Sequence, residues 1–347
     1  MIKEDHLRSY LNQETELQHI CCALDSCAIH WIIRCGSCFL PHDSPVIACL
    51  TTTTKLAATA EKTKPKPSLP PEYTPYASVF LKEATDHVLP SHLYDHEINL
   101  DEFFKSKIDK IYSLSPEEQK ATKDFLDKNL KTSKICPSNF PQASPFFFVK
   151  KKNGSLCPCQ DYCYINKHTI CDAYPLPLIS NLIDKLQEAK ILTKFDVHWG
   201  YNNICIKDGH QWKAAFVTHK GLFKPTVMFF GLTNSSPTFQ QFMNDSFCDM
   251  IAEGWLIIYM NDLLIYSHDT TTHMEHTKQV LQYMVELNLH LKLKKCMFAT
   301  TEVEYIGMIV KPGQLAMNPV KLNSIAHWPT PSKVKDVHLF LGFANFY

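Results

Sequence analysis

Arginine is almost missing from this chain. Of the 35 lysines and arginines in 347 residues, only Arg8 and Arg34 are arginine, and none follows residue 34. Proteins that grip phosphate with a bidentate fork normally use arginine, so the deficit either argues against such a role or records its loss. Net charge is missing too. The 35 acidic residues balance the 35 basic ones, which leaves a weak field for a polyanion. No run of about 18 apolar residues occurs and the N-terminus has no secretory pattern, so neither a spanning helix nor export is expected. The 14 cysteines lack regular spacing, and reduced thiols in a cell interior are expected rather than a disulfide framework. Internal repeats are absent.

What is present reads as α+β, with strands and helices alternating through many hairpins and an antiparallel sheet. The first 50 residues are Cys-rich without clear periodicity, and Thr51 to Pro71, with its Thr run and Lys-Pro-Lys-Pro, reads as a linker. Ser115-Pro116-Glu117-Glu118 is a capping box that predicts a helix to about Lys131. Strands are expected over 146–151 and 155–164 about an Asn153-Gly154 turn. Leu178, Leu182, Ile183 and Leu186 form a helical stripe. Further strands are expected over 191–197, over 204–207 and 213–217 about Asp208-Gly209, and over 303–310 before a turn at Pro312-Gly313. Helices are expected over 237–250, 271–288 and 332–346, the last amphipathic through Val334, Val337, Leu339, Leu341 and Phe343. His273 and His276 are expected on an exposed face of the 271–288 helix, in a structural role.

The most informative segment is 255–267, two apolar runs meeting at Asn261-Asp262, a corner that suits a tight hairpin turn. A carboxylate at the tip of a buried ribbon is costly unless it holds a metal. Asp196, about 65 residues earlier, ends another apolar strand. Carboxylates from adjacent strands can hold two divalent ions, an arrangement that polymerases need. Cys157-Pro158-Cys159 with Cys163 has no matching pair at zinc-ribbon spacing and lies on an expected strand, so zinc is not expected there.

Five ordered blocks extend this. Tyr174-Pro175-Leu176-Pro177-Leu178-Ile179, the run from Thr193 to Asn203, Phe229 to Ser235, Tyr259-Met260-Asn261-Asp262 and Glu304-Tyr305-Ile306-Gly307 resemble the blocks of a reverse transcriptase. The variant is that of gypsy-type long-terminal-repeat retrotransposons, and the resemblance runs from about Pro70 to Tyr347. It implies a right-hand polymerase, with fingers and palm over 72–310 and a truncated thumb over 311–347. Residues 1–50 would be a degenerate remnant, with Ala23 to Ala28 resembling the motif of retroviral-type aspartic proteases except for Cys27 at its glycine.

By position, the resemblance makes Asp196 and Asp262 the catalytic aspartates and places Asn261 where the family has a third. These three would hold two Mg²⁺, or Mn²⁺. Tyr201 matches the aromatic that stacks under the incoming sugar and excludes a 2′-hydroxyl. Lys150 and Lys151 match the fingers position that meets the triphosphate, and Glu304 to Met308 the segment that grips the primer. An RNA or DNA template–primer and deoxynucleoside triphosphates are the implied partners, without a membrane, in cytoplasmic virus-like particles. Nothing in the sequence sets the oligomeric state.

Three departures stand out. Asn261 removes one negative charge. Ser236-Pro237 replaces the usual Pro-Ala, with a displaced helix expected. Cys136, Cys157, Cys163, Cys171, Cys205, Cys248, His198 and His338 fall where the family usually has arginine, and at Cys157 a thiol cannot replace a triphosphate clamp. Cytosine-to-thymine transitions at arginine codons beginning CG would produce the Cys and His changes and a stop after Tyr347, and the Asp-to-Asn change at 261 is a transition of the same type. The expectation is an impaired polymerase module. The alternatives are a non-catalytic nucleic-acid-binding remnant held by Lys150, Lys151, Lys152, Lys292, Lys294 and Lys295, and an unstable relic. TG or CA in place of CG in the gene at these codons is the corresponding observation.

Overall fold

A computed structural model describes residues 69–81, 94–150, 154–175 and 189–344, with residues 177 and 186. The 1–50 segment, most of the linker, Lys151, Lys152, Asn153 and the stripe residues Leu178, Leu182 and Ile183 lie outside these. The chain divides into two units, one built on Lys66–Phe148 and Pro158–Ala316, the other including Val149–Cys157 and Met317–Tyr347.

Local chemistry sets the element ends. Helix α1, Pro116–Lys131, starts at the capping box: the Glu118 N–H donates to Ser115 Oγ while the Ser115 N–H donates to Glu118 Oε2 at 2.8 Å. Two orphan donors are thereby satisfied at once. Strands β1 (Ile135–Pro137), β2 (Ser144–Lys150) and β3 (Leu156–Gln160) follow. The return strand is shorter than the 155–164 expected. Asp161 Oδ1 accepts the Cys163 N–H at 3.1 Å, and this Asx turn starts helix α2, Cys163–His168.

Strand β4 is Ile191–Asp196, and β5 (Phe216–Thr218) and β6 (Gly221–Pro225) come next. The hairpin expected about Asp208-Gly209 is not formed. The turn signal is real, since Gly209 has φ +80°, but Ile206 bridges His96 and Cys205 bridges Val227, while Gln211–Ala214 forms a 3₁₀ turn. Strand β5 pairs instead with β6 and, in parallel, with β2, so the five-stranded sheet runs β1-β6-β5-β2-β3.

Helix α3, Ser235–Ser246, begins two residues before the expected start and breaks at Phe247 (φ −117°) before α4, Cys248–Ala252. Pro237 falls in its first turn, where no intrahelical N–H is needed. Strands β7 (Leu256–Tyr259) and β8 (Asp262–Ser267) form the expected hairpin. Helix α5, Thr270–Glu286, is capped by Asp269, whose Oδ1 accepts the Thr272 N–H at 2.9 Å. Strand β9, Met297–Thr300, completes a four-stranded antiparallel sheet, β7-β8-β4-β9. Leu192, Phe195, Leu263, Leu264 and Ile265 from the sheet and Val280, Leu281 and Met284 from α5 are fully buried, each contributing about 1.5–3 kcal/mol of burial.

The strand expected over 303–310 is a hairpin of β10 (Val303–Tyr305) and β11 (Met308–Lys311), followed by β12, Gln314–Met317. Ile306 (φ +49°) and Gly307 (φ +78°) form the turn, matching the two positive φ angles of a type I′ corner. In the other unit, α6 (Pro319–Ala326) and α7 (Val334–Ala344) follow, and Asp336 Oδ2 accepts the Ser332 and Lys333 N–H groups ahead of α7. Val334, Val337 and Leu341 are exposed on it.

Candidate active site

Strand β4 ends and β8 begins on the same pair. Asp196 and Asp262 are direct cross-strand partners in the antiparallel register, so their side chains leave the sheet on one face, with Cβ atoms about 4.5–5.5 Å apart. The register is over-determined. Six consecutive pairs from Ile191↔Ser267 to Asp196↔Asp262 hold it, and a slip of one residue would send every buried side chain to the opposite face.

The hairpin tip is a two-residue loop, Met260-Asn261, between the paired Tyr259 and Asp262. Met260 has φ +55°, a conformation that costs a non-glycine residue about 1–3 kcal/mol and persists only where neighbours enforce it. The enforcing neighbour is Gln240 of α3, which is fully buried. Its Oε1 accepts the Met260 N–H at 2.7 Å, and its Nε2 donates to Ile258 O and Asn244 Oδ1. On the other side, Asn261 O accepts the Val197 N–H at 2.8 Å. A Cβ on Gly200 would collide with Asn261 Oδ1 and approach Phe239 Cζ to 2.8 Å, so glycine at 200 makes room for the tip.

Two lysines answer the carboxylates. Lys295 Nζ donates to Asp196 Oδ2 at 2.8 Å, and Lys194 Nζ lies 3.2 Å from Asp262 Oδ2. Lys194 also donates to Glu304 O at 3.1 Å and stands over the Tyr305 ring, so this ammonium ties Asp262 to the β10–β11 hairpin. Asp196 is held further by its carbonyl, which accepts the Lys292 N–H at 2.9 Å. Behind it, burial pushes the Cys296 thiol up to about 12, so it stays neutral. Tyr305 is raised well above the usual phenol range, by burial first and then by the Asp262 charge.

Asp196, Asn261 and Asp262 therefore meet at one end of the sheet. Tyr201 lies close in sequence, in the 3₁₀ turn Gly200–Asn203. It is buried, with its hydroxyl 3.1 Å from Ser236 Oγ and its ring edge-on to Phe230 and Phe239. Lys150 is the exposed last residue of β2 and belongs to the second unit. The expectation for His273 and His276 is corrected on exposure. His273 is buried with Nε2 2.7 Å from Thr193 Oγ1, and burial, aided by the His276 charge, lowers it to about 4. His276 stacks on Trp255 at 4.0 Å with Nδ1 3.2 Å from Ser267 Oγ. Thr193 is the next residue but two before Asp196, so this pair braces the strand that carries it.

Among the described residues, no group of three His, Cys, Asp or Glu side chains is placed to hold a metal. The two carboxylates and the Asn261 Oδ1, which is buried without a hydrogen-bond partner, are hard oxygen donors of the type that suits Mg²⁺ or Mn²⁺, so the residues fit such ions. The lysines, Gln240 and Gly200 were not singled out for this site from sequence. Lys194 could have been, because residues two apart on a strand share a face.

Residues 149–310 match the family described as reverse transcriptase (RNA-dependent DNA polymerase), and the chain carries a reverse transcriptase domain. Its relatives are retrotransposon polyproteins. The Transposon Tf2-3 polyprotein of Schizosaccharomyces pombe is 31% identical over 284 residues, 81% of this chain, and the Tf2-7 polyprotein of the same organism is 30% identical over the same length. The chain spans 21% of the length of these relatives, and the gypsy-type assignment is compatible with them. The fold is that of solved foamy viral protease-reverse transcriptases. One, in complex with an RNA/DNA hybrid, has TM-score 0.66 and 17% identity over 88% of this chain and 41% of that one. Another, in complex with double-stranded DNA, has TM-score 0.69 and 17% identity over 86% and 52%. The family generally uses divalent metal ions. No described helix is long and apolar enough to cross a membrane.

Proposed function

We propose that this chain is the polymerase module of a gypsy-type retrotransposon, extending a primer with deoxynucleoside triphosphates on an RNA or DNA template. The Asp196–Asp262 register pair at the head of a Gln240-latched hairpin supports this reading. Magnesium ions bound there would activate the primer hydroxyl and neutralise the departing pyrophosphate. Asp196 and Asp262 would supply the anionic oxygens, and Asn261 a neutral one. Losing one unit of charge facing two dications removes roughly 3–5 kcal/mol of stabilisation, or about 10²–10⁴ in rate, so the module is impaired. Tyr201, fixed by Ser236 and two phenylalanine edges, would limit the sugar. Lys150 and Lys151 would meet the triphosphate, and the Glu304 to Met308 hairpin the primer. Residues 72–310 would act as fingers and palm, 311–347 as part of a thumb, and the particle would be cytoplasmic.

Exposed Lys150, Lys292 and Lys294 favour a second reading, a nucleic-acid-binding remnant without catalysis. Primer extension on poly(rA)/oligo(dT), with the chain and its Asn261→Asp variant, separates the two. Weak product from the chain and strong product from the variant is expected, with none after Asp196→Asn. Salt-dependent binding without extension by either protein would select the remnant.

A further inference from the structure

Each carboxylate of the candidate site already has a cation of its own, and the two cations are held differently. Lys295 reaches Asp196 Oδ2 from the 3₁₀ turn Leu293–Lys295, with its side chain 39% exposed. Lys194 reaches Asp262 Oδ2 from within β4, with its side chain 17% exposed and its ammonium also fixed by Glu304 O. The four side chains sum to zero charge, and the amide at 261 adds none. Opposite charges at these distances compete directly with any cation that needs the same oxygens.

We infer that Asp196, Asp262, Lys194 and Lys295 form a self-neutralised quartet in which the two lysines are internal competitors of the divalent ion. This rests on the reading of Asp196 and Asp262 as ligands, and it changes what limits the site. With an aspartate at 261 the five side chains would carry a net negative charge that draws a dication in. With asparagine, a metal must displace two ammonium groups from a neutral cluster. The roles divide by mobility. Lys295, on an exposed turn, can swing clear. Lys194, anchored to a backbone carbonyl and flanked by the Tyr305 ring, stays and leaves a positive charge beside Asp262.

Mn²⁺ titration of the full chain, without nucleic acid or nucleotide and read by the electron paramagnetic resonance of the free ion, tests this independently of turnover. Lys295→Met is expected to tighten Mn²⁺ binding about two- to fivefold, the worth of a half-exposed ion pair. Lys194→Met is expected to tighten it about tenfold, because that charge cannot move away. Lys194→Arg should bind as the parent does, since it keeps the charge. Asn261→Asp should tighten binding in either background, and Asp196→Asn should abolish it. Lys295→Met lies on an exposed turn and keeps the test open if Lys194→Met fails to fold, as judged by circular dichroism. If Asn261→Asp tightens binding while neither lysine variant does, the quartet is wrong and the ligand assignment stands. If no protein, Asn261→Asp included, shows Mn²⁺ binding that Asp196→Asn removes, the ligand assignment fails and the quartet with it.

Discussion

Two hairpin tips in the same unit solve one geometric problem differently. The β10–β11 tip places Ile306 and Gly307 at positive φ, and glycine relieves half of the corner. The β7–β8 tip places Met260 at φ +55° and follows it with Asn261, with no glycine in the loop. A turn that only reverses the chain can use glycine. A turn that must present side chains at 261 and 262 carries its strain and has it held from outside, by Gln240 beneath Met260 and by the Val197 N–H on Asn261.

The largest effect that would sharpen this contrast is at the tip residue itself. Asn261→Asp should raise primer-extension rate about 10²–10⁴-fold, and equal robust activity in both proteins would show that the third charge does not matter. Next comes the space that admits the tip. Gly200→Ala should cost about 2–4 kcal/mol by forcing a Cβ against Asn261 and Phe239, read as a lower denaturation midpoint. An unchanged midpoint would mean that the tip is not wedged as described.

The strand under the tip gives a pH signature. His273 is lowered to about 4 from 6.5, so the unfolded chain takes up the proton first as pH falls. Its contribution is therefore complete above about pH 6.5 and is lost between there and pH 4, on the order of 2–3 kcal/mol. His96, buried and also lowered to about 4, acts with the same sign. Thermal melts across this window should show the loss, and His273→Gln should shrink it by about half. The smallest effect belongs to the other tip. Ile306→Asn should stabilise by about 0.5–1 kcal/mol, because asparagine tolerates the left-handed corner, whereas Met260→Asn should bring no gain in activity.

The carboxylate hairpin was legible in sequence because its signals are local: apolar runs, an Asx-Asp corner and ordered blocks. The Ser115 box was legible for the same reason. The 204–217 hairpin was misread because its turn signal is also local, while its strand partners are not. His96 takes Ile206, and Lys213 Nζ donates to Ile98 O at 2.6 Å. Lys295, the partner of Asp196, stayed hidden for the same cause, since it arrives from a 3₁₀ turn 99 residues further on. His273 looked exposed because polar residues surround it in sequence, yet Thr193, 80 positions away, buries it in a hydrogen bond.

The register of β4 has a consequence for synthesis. Asp196 leaves the ribosome 99 residues ahead of Lys295, its ion-pair partner, and at roughly 5–20 residues per second that gap lasts on the order of 5–20 s. Through that interval β4 also waits for β9, which occupies its second edge. The nascent chain thus carries an unfinished strand edge through that interval, a template for pairing with another chain.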